Sequence, residues 1–334
     1  MPLITKRDDV LALYRDAACR GWVIPAFGVE NLTTIEAVLS ATKAHGERIG
    51  RADLPITLAL TNLYQYRSQT ANYTHTRQWE VGLKLFLADI GVLTASPSPF
   101  SGLNVMVHLD HVLHDADAAL LSWDMAAFSS IMYDASTLPF EENMEATRRF
   151  VDERGAEIVI EGACDEIASA GDTKVSELTT PERAATYAAR TRVDFLVVNL
   201  GTEHRASASD LSYDGELARQ IRSRVGPRLV LHGGSSVVRD RIRTLADDGI
   251  CKVNVWTALE RDSSPALLAD MVRKAAKVAG RQMATTLAEQ GYLGREADLR
   301  SSSDLAYCTT TYRQAIVFEQ MERLVADYLA LWYV

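Results

Sequence analysis

The sequence predicts an α/β protein built as a (β/α)8 TIM barrel with a C-terminal helical extension, and three observations carry that prediction. Eight short apolar runs alternate with segments of helical period between Trp22 and Val255, the pattern of strands buried on both faces and joined by crossover helices. Histidines and acids stand where several of these runs end, which is where a barrel collects its chemistry. No G-x-G-x-x-G follows any run, which weakens the alternative of an open dinucleotide-binding sheet.

Residues 8–20 place Val10, Leu11, Leu13, Tyr14 and Ala17 on one helical face, and Gly21 stops the helix. Residues 22–27 read as the first strand, 33–45 as a helix and 55–61 as the second strand. Residues 62–100 combine a tyrosine-rich segment, a helix over 78–89 and a Pro-rich loop at 95–99. The third strand ends at His111, a helix is expected over 115–123, and 127–132 is the fourth strand, leading into Tyr133 and Asp134. A helix over 140–154 closes on Gly155, and 156–161 is the fifth strand. Residues 162–178 are polar and aperiodic, which suits a lid that orders on substrate binding and brings Asp165 or Glu166 near the site. Thr180 caps the next helix with Pro181 at its first position. The sixth run ends at His204, the seventh carries His232 and the eighth covers 250–255, with helices over 213–225 and 238–247 between them. The barrel domain is placed at 1–262 and the extension at 263–334; its apolar end, from Leu324 to Val334, suits docking on the barrel or on a second subunit.

The third run closes on His108-Leu109-Asp110-His111. Adjacent side chains on a strand point to opposite faces, so Asp110 and His111 share a site only if the strand ends there and the chain turns. The sixth and seventh runs deliver His204 and His232 in the same way. A lone histidine at a strand end is more often structural, but three in matching positions fit a divalent metal, because three neutral imidazoles with one open position are a common catalytic zinc set. Ligand bonds of about 2.1 Å require the three to converge within about 6 Å. His45, His75, His108 and His114 keep the structural reading: His108 alternates with Asp110 inside the strand, and the others fall in helical or loop contexts.

The chain has 334 residues, of which 47% are hydrophobic and 24% charged, enough for a large buried core. A net charge of −9 and the lack of a basic run argue against nucleic acid as a partner. Cys19, Cys164, Cys251 and Cys308 show no C-x-x-C spacing, so reduced thiols are expected. The first residues lack the apolar stretch of a signal peptide and no run could span a bilayer, so a cytoplasmic location without membrane contact is expected.

Five stretches, in order and at run ends, resemble the class II, metal-dependent fructose-bisphosphate aldolases and their tagatose-bisphosphate relatives. They are His108-Leu109-Asp110-His111; Asp134-Ala135-Ser136 with Leu138-Pro139-Phe140-Glu141-Glu142-Asn143; Gly201-Thr202-Glu203-His204; Leu231-His232-Gly233-Gly234-Ser235; and Lys252-Val253-Asn254. The resemblance implies that His111, His204 and His232 hold Zn2+ or another divalent metal and that Asp110 moves the proton on the donor substrate, with Asp134 and Glu161 supporting the site from behind. It implies further that Gly233, Gly234, Ser235, Asn254 and Thr257 bind the phosphate of dihydroxyacetone phosphate or of a phosphorylated ketose. A divalent ion on a ketone oxygen polarises the carbonyl and acidifies the neighbouring C–H, and a carboxylate beside it is a suitable base. The expected assembly is a homodimer or homotetramer.

The chain departs from the family pattern around the acceptor. Gly28 replaces an asparagine, Ala163 replaces the second of two glutamates after Glu161, and Glu203 and Arg205 replace small residues around His204. Asn254-Val255-Trp256-Thr257 replaces Asn-x-Asp-Thr, and Glu260 stands where the tagatose-type branch often has an arginine. The expected activity is therefore aldol cleavage or condensation with dihydroxyacetone phosphate or a close analogue as donor and an aldehyde lacking a distal phosphate as acceptor; the counter-argument is that Arg205, Arg261 or an arginine of a neighbouring subunit could serve as a substitute anion clamp. An ordinary fructose-1,6-bisphosphate aldolase and a catalytically silent relative that binds a phospho-sugar are the alternatives.

Overall fold

The eight apolar runs form eight parallel strands that pair in sequence order, and the eighth returns to the first to close a barrel. They are β1 Ile24–Gly28, β2 Pro55–Thr61, β3 Asn104–Leu113, β4 Ser130–Asp134, β5 Val159–Ala163, β6 Phe195–Val197, β7 Leu229–Leu231 and β8 Ile250–Val255. The computed structural model describes residues 3–64, 67–167, 177–202 and 213–334, apart from the side chains of 236, 239 and 240. Every residue of β2 is buried, as a strand covered by helices outside and by side chains within must be. The register sets the site: Thr61 on β2 pairs with Asp110 on β3, and Ala26 on β1 pairs with Asn254 on β8.

Several helices and strands differ from the expected bounds for local reasons. The helix expected over 115–123 shrinks to Ala118–Leu121, because the Asp117 carboxylate accepts from the backbone of Leu113 and Leu63 and from Asn62 instead. The fourth strand starts at Ser130, since Asp124 caps a short 3-10 turn over Met125–Ala127. The fifth lies later, at Val159–Ala163, so Gly162 and Ala163 are strand rather than lid. The sixth stops at Val197 rather than running on to His204. Beyond it the Thr179 hydroxyl accepts from Asn199 N, the Asn199 carboxamide accepts from Gly201 N, and Gly201 sits at φ 86°, so side chains take the place of ladder bonds.

Inside the barrel, Lys252 Nζ donates to both carboxylate oxygens of Glu161 at 2.7 and 2.9 Å, with both side chains fully buried. Leaving either charge alone there would cost about 3–5 kcal/mol, so the two are kept as a pair. His108 Nε2 lies 3.6 Å from Glu161 and 3.8 Å from Asp110, linking this interior pair to the barrel mouth.

The C-terminal segment packs on its own barrel. The helix Thr257–Arg273 runs through position 262 without a break, and the last helix, Thr310–Trp332, lies against the helix Leu32–Arg48. Val325, Leu329, Trp332 and Tyr333 join the barrel core, each buried side chain contributing about 1.5–3 kcal/mol. Tyr333 Oη donates to the Pro55 carbonyl at 2.5 Å, and His45 Nε2 meets the Tyr333 carbonyl at 2.9 Å, which makes His45 a structural residue. All four cysteines are free, and no helix among the described residues is long and apolar enough to cross a membrane.

Candidate active site

Asp110 and His111 reach one cleft by a route other than the expected strand end. β3 continues to Leu113, but between Leu109 and Val112 it advances three residues while β4 advances two, from Ile131 to Tyr133, so β3 carries one extra residue. His111 sits in this bulge with φ 47°, a left-handed conformation that costs a side-chain-bearing residue about 1–2 kcal/mol. The extra residue resets the alternation, so neighbouring side chains turn to the same side. Strain of this kind persists where the surroundings hold it. Here they do: Asp134 Oδ2 accepts from His111 Nδ1 at 2.9 Å, and the Tyr64 ring stacks on the imidazole at 4.5 Å.

His232 follows β7 directly, and its carbonyl accepts from the Thr202 hydroxyl at 2.7 Å. Ligand atoms of Asp110, His111 and His232 all lie within 4.8 Å of one another, and all three residues are buried. This set fits a divalent metal. Asp134 occupies Nδ1 of His111 and so fixes the tautomer that turns Nε2 to the cleft. The Asp134 carboxyl is itself ionised: burial pushes its pKa up, but the bonds from His111 and Ser136 outweigh that and hold it below the usual range. His204, Arg205 and Glu203 lie outside the described residues.

Asp110 is held from three directions. Asn254 Nδ2 donates to Oδ1 at 2.9 Å, Arg67 Nη2 donates to Oδ2 at 2.9 Å, and His108 stands 3.8 Å away. Burial raises its pKa, yet His111, His108, His232 and Arg67 together hold it well below the usual carboxylate range.

Gly233, Ser235, Asn254 and Thr257 line the same cleft. Gly233 takes φ 66°, and a Cβ on Gly234 would stand 2.5 Å from Val253 Cγ1, so the first glycine serves a turn and the second a close approach to β8. Thr257 opens the 17-residue helix Thr257–Arg273, and Ser235 Oγ accepts from Ala258 N at 3.0 Å. A helix amino terminus at the cleft wall favours an anion through its dipole, although the Ala258, Leu259 and Glu260 N–H groups already donate to Ser235 Oγ and the Trp256 carbonyl. Glu161 does not line the cleft; among the described residues His108, 3.6 Å from it, links it to Asp110. Asp165 is tied to Thr179 at 2.8 Å and Arg183 at 2.6 Å, the Glu166 carbonyl accepts from Asn199 at 3.3 Å, and neither residue lines the cleft.

Sequence reasoning missed Tyr64, Arg67 and Glu30. Tyr64 and Arg67 follow the carboxyl end of β2, where barrel loops carry functional groups, and that position was the available signal. Glu30 Oε1 accepts from Trp256 Nε1 at 2.6 Å and from Gln69 Nε2 at 2.9 Å. Glu260 does not line the cleft.

Burial, and then the nearby Glu30, lift the half-buried Glu260 carboxyl from 4.5 to about 7, with Arg67 opposing. The folded protein thus keeps a proton that the unfolded chain releases. Stability from this group is lost as pH rises from about 4.5 to about 7 and stays level beyond. Glu260→Gln should therefore match wild type at pH 4 and exceed it by about 1–3 kcal/mol at pH 8 in urea unfolding, after allowance for solvent screening. An equal gap at both pH values would show that the ionisation is not the cause.

Two solved structures share the architecture. The YdjI aldolase from Escherichia coli K12 superposes with a TM-score of 0.66 at 19% identity, over 97% of this chain and 96% of that one. The fructose-bisphosphate aldolase from Campylobacter jejuni superposes with a TM-score of 0.72 at 18% identity, over 99% of this chain and 95% of that one. At these identities the likeness establishes the fold. The family model for class II fructose-bisphosphate aldolase matches residues 8–299, across the strand ends that carry Asp110, His111 and His232. A match of that extent settles membership: the chain belongs to the class II fructose-bisphosphate aldolases, a family of divalent-metal-dependent carbon–carbon lyases.

Proposed function

We propose that this protein catalyses aldol cleavage and condensation with dihydroxyacetone phosphate or a close analogue as donor and an aldehyde lacking a distal phosphate as acceptor. The observation that carries the reading is the convergence of Asp110, His111 and His232 within 4.8 Å beside the amino terminus of the helix Thr257–Arg273. A zinc or other divalent ion held by His111, His232 and His204 would supply Lewis-acid polarisation of the donor carbonyl. Asp134 keeps His111 in the ligating tautomer. Asp110, oriented by Asn254 and Arg67, takes the proton from the donor carbon beside the carbonyl in condensation and returns it in cleavage. The donor phosphate sits against Gly233, Ser235 and Thr257; the Ser235 oxygen already accepts from Ala258 N, so its O–H is the group that donates to the phosphate.

The acceptor half supports the second part of the reading. Ala26, Gly28, Ala59, Tyr64 and Trp256 make that wall largely apolar and aromatic, and the Arg67 charge is balanced by Asp110 at 2.9 Å. Among the described lining residues no other cation is available for a phosphate dianion. The test compares kcat/KM for cleavage of fructose 1,6-bisphosphate and fructose 1-phosphate by the metal-replete enzyme. The monophosphate should be preferred by on the order of 10²-fold, the scale set by burying an unmatched charge. Preferred cleavage of the bisphosphate would restore the ordinary glycolytic activity, and failure to exchange donor C–H protons with solvent would identify a silent binding protein.

A further inference from the structure

Three residues of the acceptor wall fit together as one piece. The Arg67 guanidinium lies 4.6 Å from the centroid of the Trp256 ring and donates to Asp110 Oδ2 at 2.9 Å. Trp256 is anchored in turn by its indole N–H on Glu30 at 2.6 Å. Gly28 on β1 supplies the room: a Cβ there would stand 3.0 Å from Trp256 Cβ, 3.2 Å from Trp256 Cδ1 and 3.3 Å from Arg67 Nη1. Gly28 is in regular strand and not at a positive φ, so the glycine serves space and not backbone freedom.

We propose that Gly28, Arg67 and Trp256 form a single specificity-determining unit that closes the acceptor end of the cleft to all but short, uncharged hydroxyaldehydes while holding Asp110 in place. The proposal rests on the aldolase reading above and deepens it. Trp256 is a broad, rigid wall held by two contacts: the ring carries Arg67, and the Cβ edge abuts Gly28. Arg67 has a side chain only 11% exposed, and its Nε is buried with no partner among the described residues. With the charge neutralised by Asp110, that wall offers an acceptor a neutral-site hydrogen bond to an aldehyde or hydroxyl oxygen and no net attraction for a dianion. A Cβ at position 28 would require the indole at 256 and the Arg67 guanidinium to give by a few tenths of an ångström, so the two positions are coupled.

The experiment is a double-mutant cycle on the full-length, metal-replete enzyme. It measures kcat/KM for condensing dihydroxyacetone phosphate with glycolaldehyde, which has two carbons, and with erythrose, which has four. Wild type should favour glycolaldehyde, and Trp256→Ala should shift the ratio toward erythrose by about tenfold or more, the scale of one or two extra methylenes in a fitted pocket. Gly28→Ala should lower kcat/KM for glycolaldehyde by about tenfold beside Trp256 but by less than about threefold in the Trp256→Ala background, the non-additivity expected of groups in contact. Trp256→Leu provides the same comparison should the alanine variant not fold. Arg67→Lys keeps the charge and loses the flat stack, so it should lower kcat for donor proton exchange while leaving donor KM in place. Additive effects at 28 and 256, or an unchanged length ratio in Trp256→Ala, would overturn the proposal alone. Absence of donor proton exchange in wild type would overturn it together with the aldolase reading.

Discussion

His232→Ala is expected to abolish metal binding and with it detectable turnover. His232 and His111 are the two imidazoles that the described structure places at the candidate centre, with Asp110 completing a buried set whose ligand atoms lie within 4.8 Å. Removing an imidazole leaves too few strong donors to hold a divalent ion at catalytic concentrations. Even the hydrogen-bonding partners of metal ligands are worth about 10–100-fold in affinity. Asp134→Asn should fall in that range, because the amide can no longer fix His111 through a charged acceptor, while His232→Ala should exceed about 10²-fold. Elemental analysis of purified protein is the readout. Wild type should carry one tightly held divalent ion per chain, and retention of that ion in the His232→Ala protein would remove His232 from the centre.

Asp110→Asn should retain the metal and the fold but lose about 10²–10⁴ in the rate of donor proton exchange, the usual contribution of a positioned general base. The substitution is nearly isosteric, and its carbonyl oxygen can still accept from Asn254 or Arg67. What disappears is the negative charge that takes the proton and that balances Arg67. The variant should therefore also be somewhat less stable, by about 1–3 kcal/mol for the buried charge left less well matched. Proton exchange of dihydroxyacetone phosphate followed by NMR isolates this step from acceptor chemistry. Exchange at the wild-type rate would reduce Asp110 to an orienting group.

The barrel was legible in the chain alone, because parallel strands buried on both faces must be apolar throughout and must alternate with helices. β2 and β8 were legible to the residue, and the Thr180 cap with Pro181 was legible from short-range chemistry alone. Asp110, His111 and His232 were legible as residue types that barrels place at strand ends. The tertiary structure decided how Asp110 and His111 share a face, since a bulge depends on the register of β3 against β4 and a left-handed histidine depends on Asp134 and Tyr64 to hold it. It also decided that Lys252 and Glu161, 91 residues apart, neutralise each other across the interior. The acceptor wall belongs to the same class. Gly28, Arg67 and Trp256 come from three separate loops or strands; Gly28 and Trp256 stood out in the sequence only as separate departures from the family pattern and Arg67 not at all, and only barrel closure, which brings β1 beside both β2 and β8, puts the glycine's missing side chain where the indole and guanidinium now pack. Local periodicity encodes elements, whereas contacts between elements depend on register and closure, which no stretch of chain carries within itself.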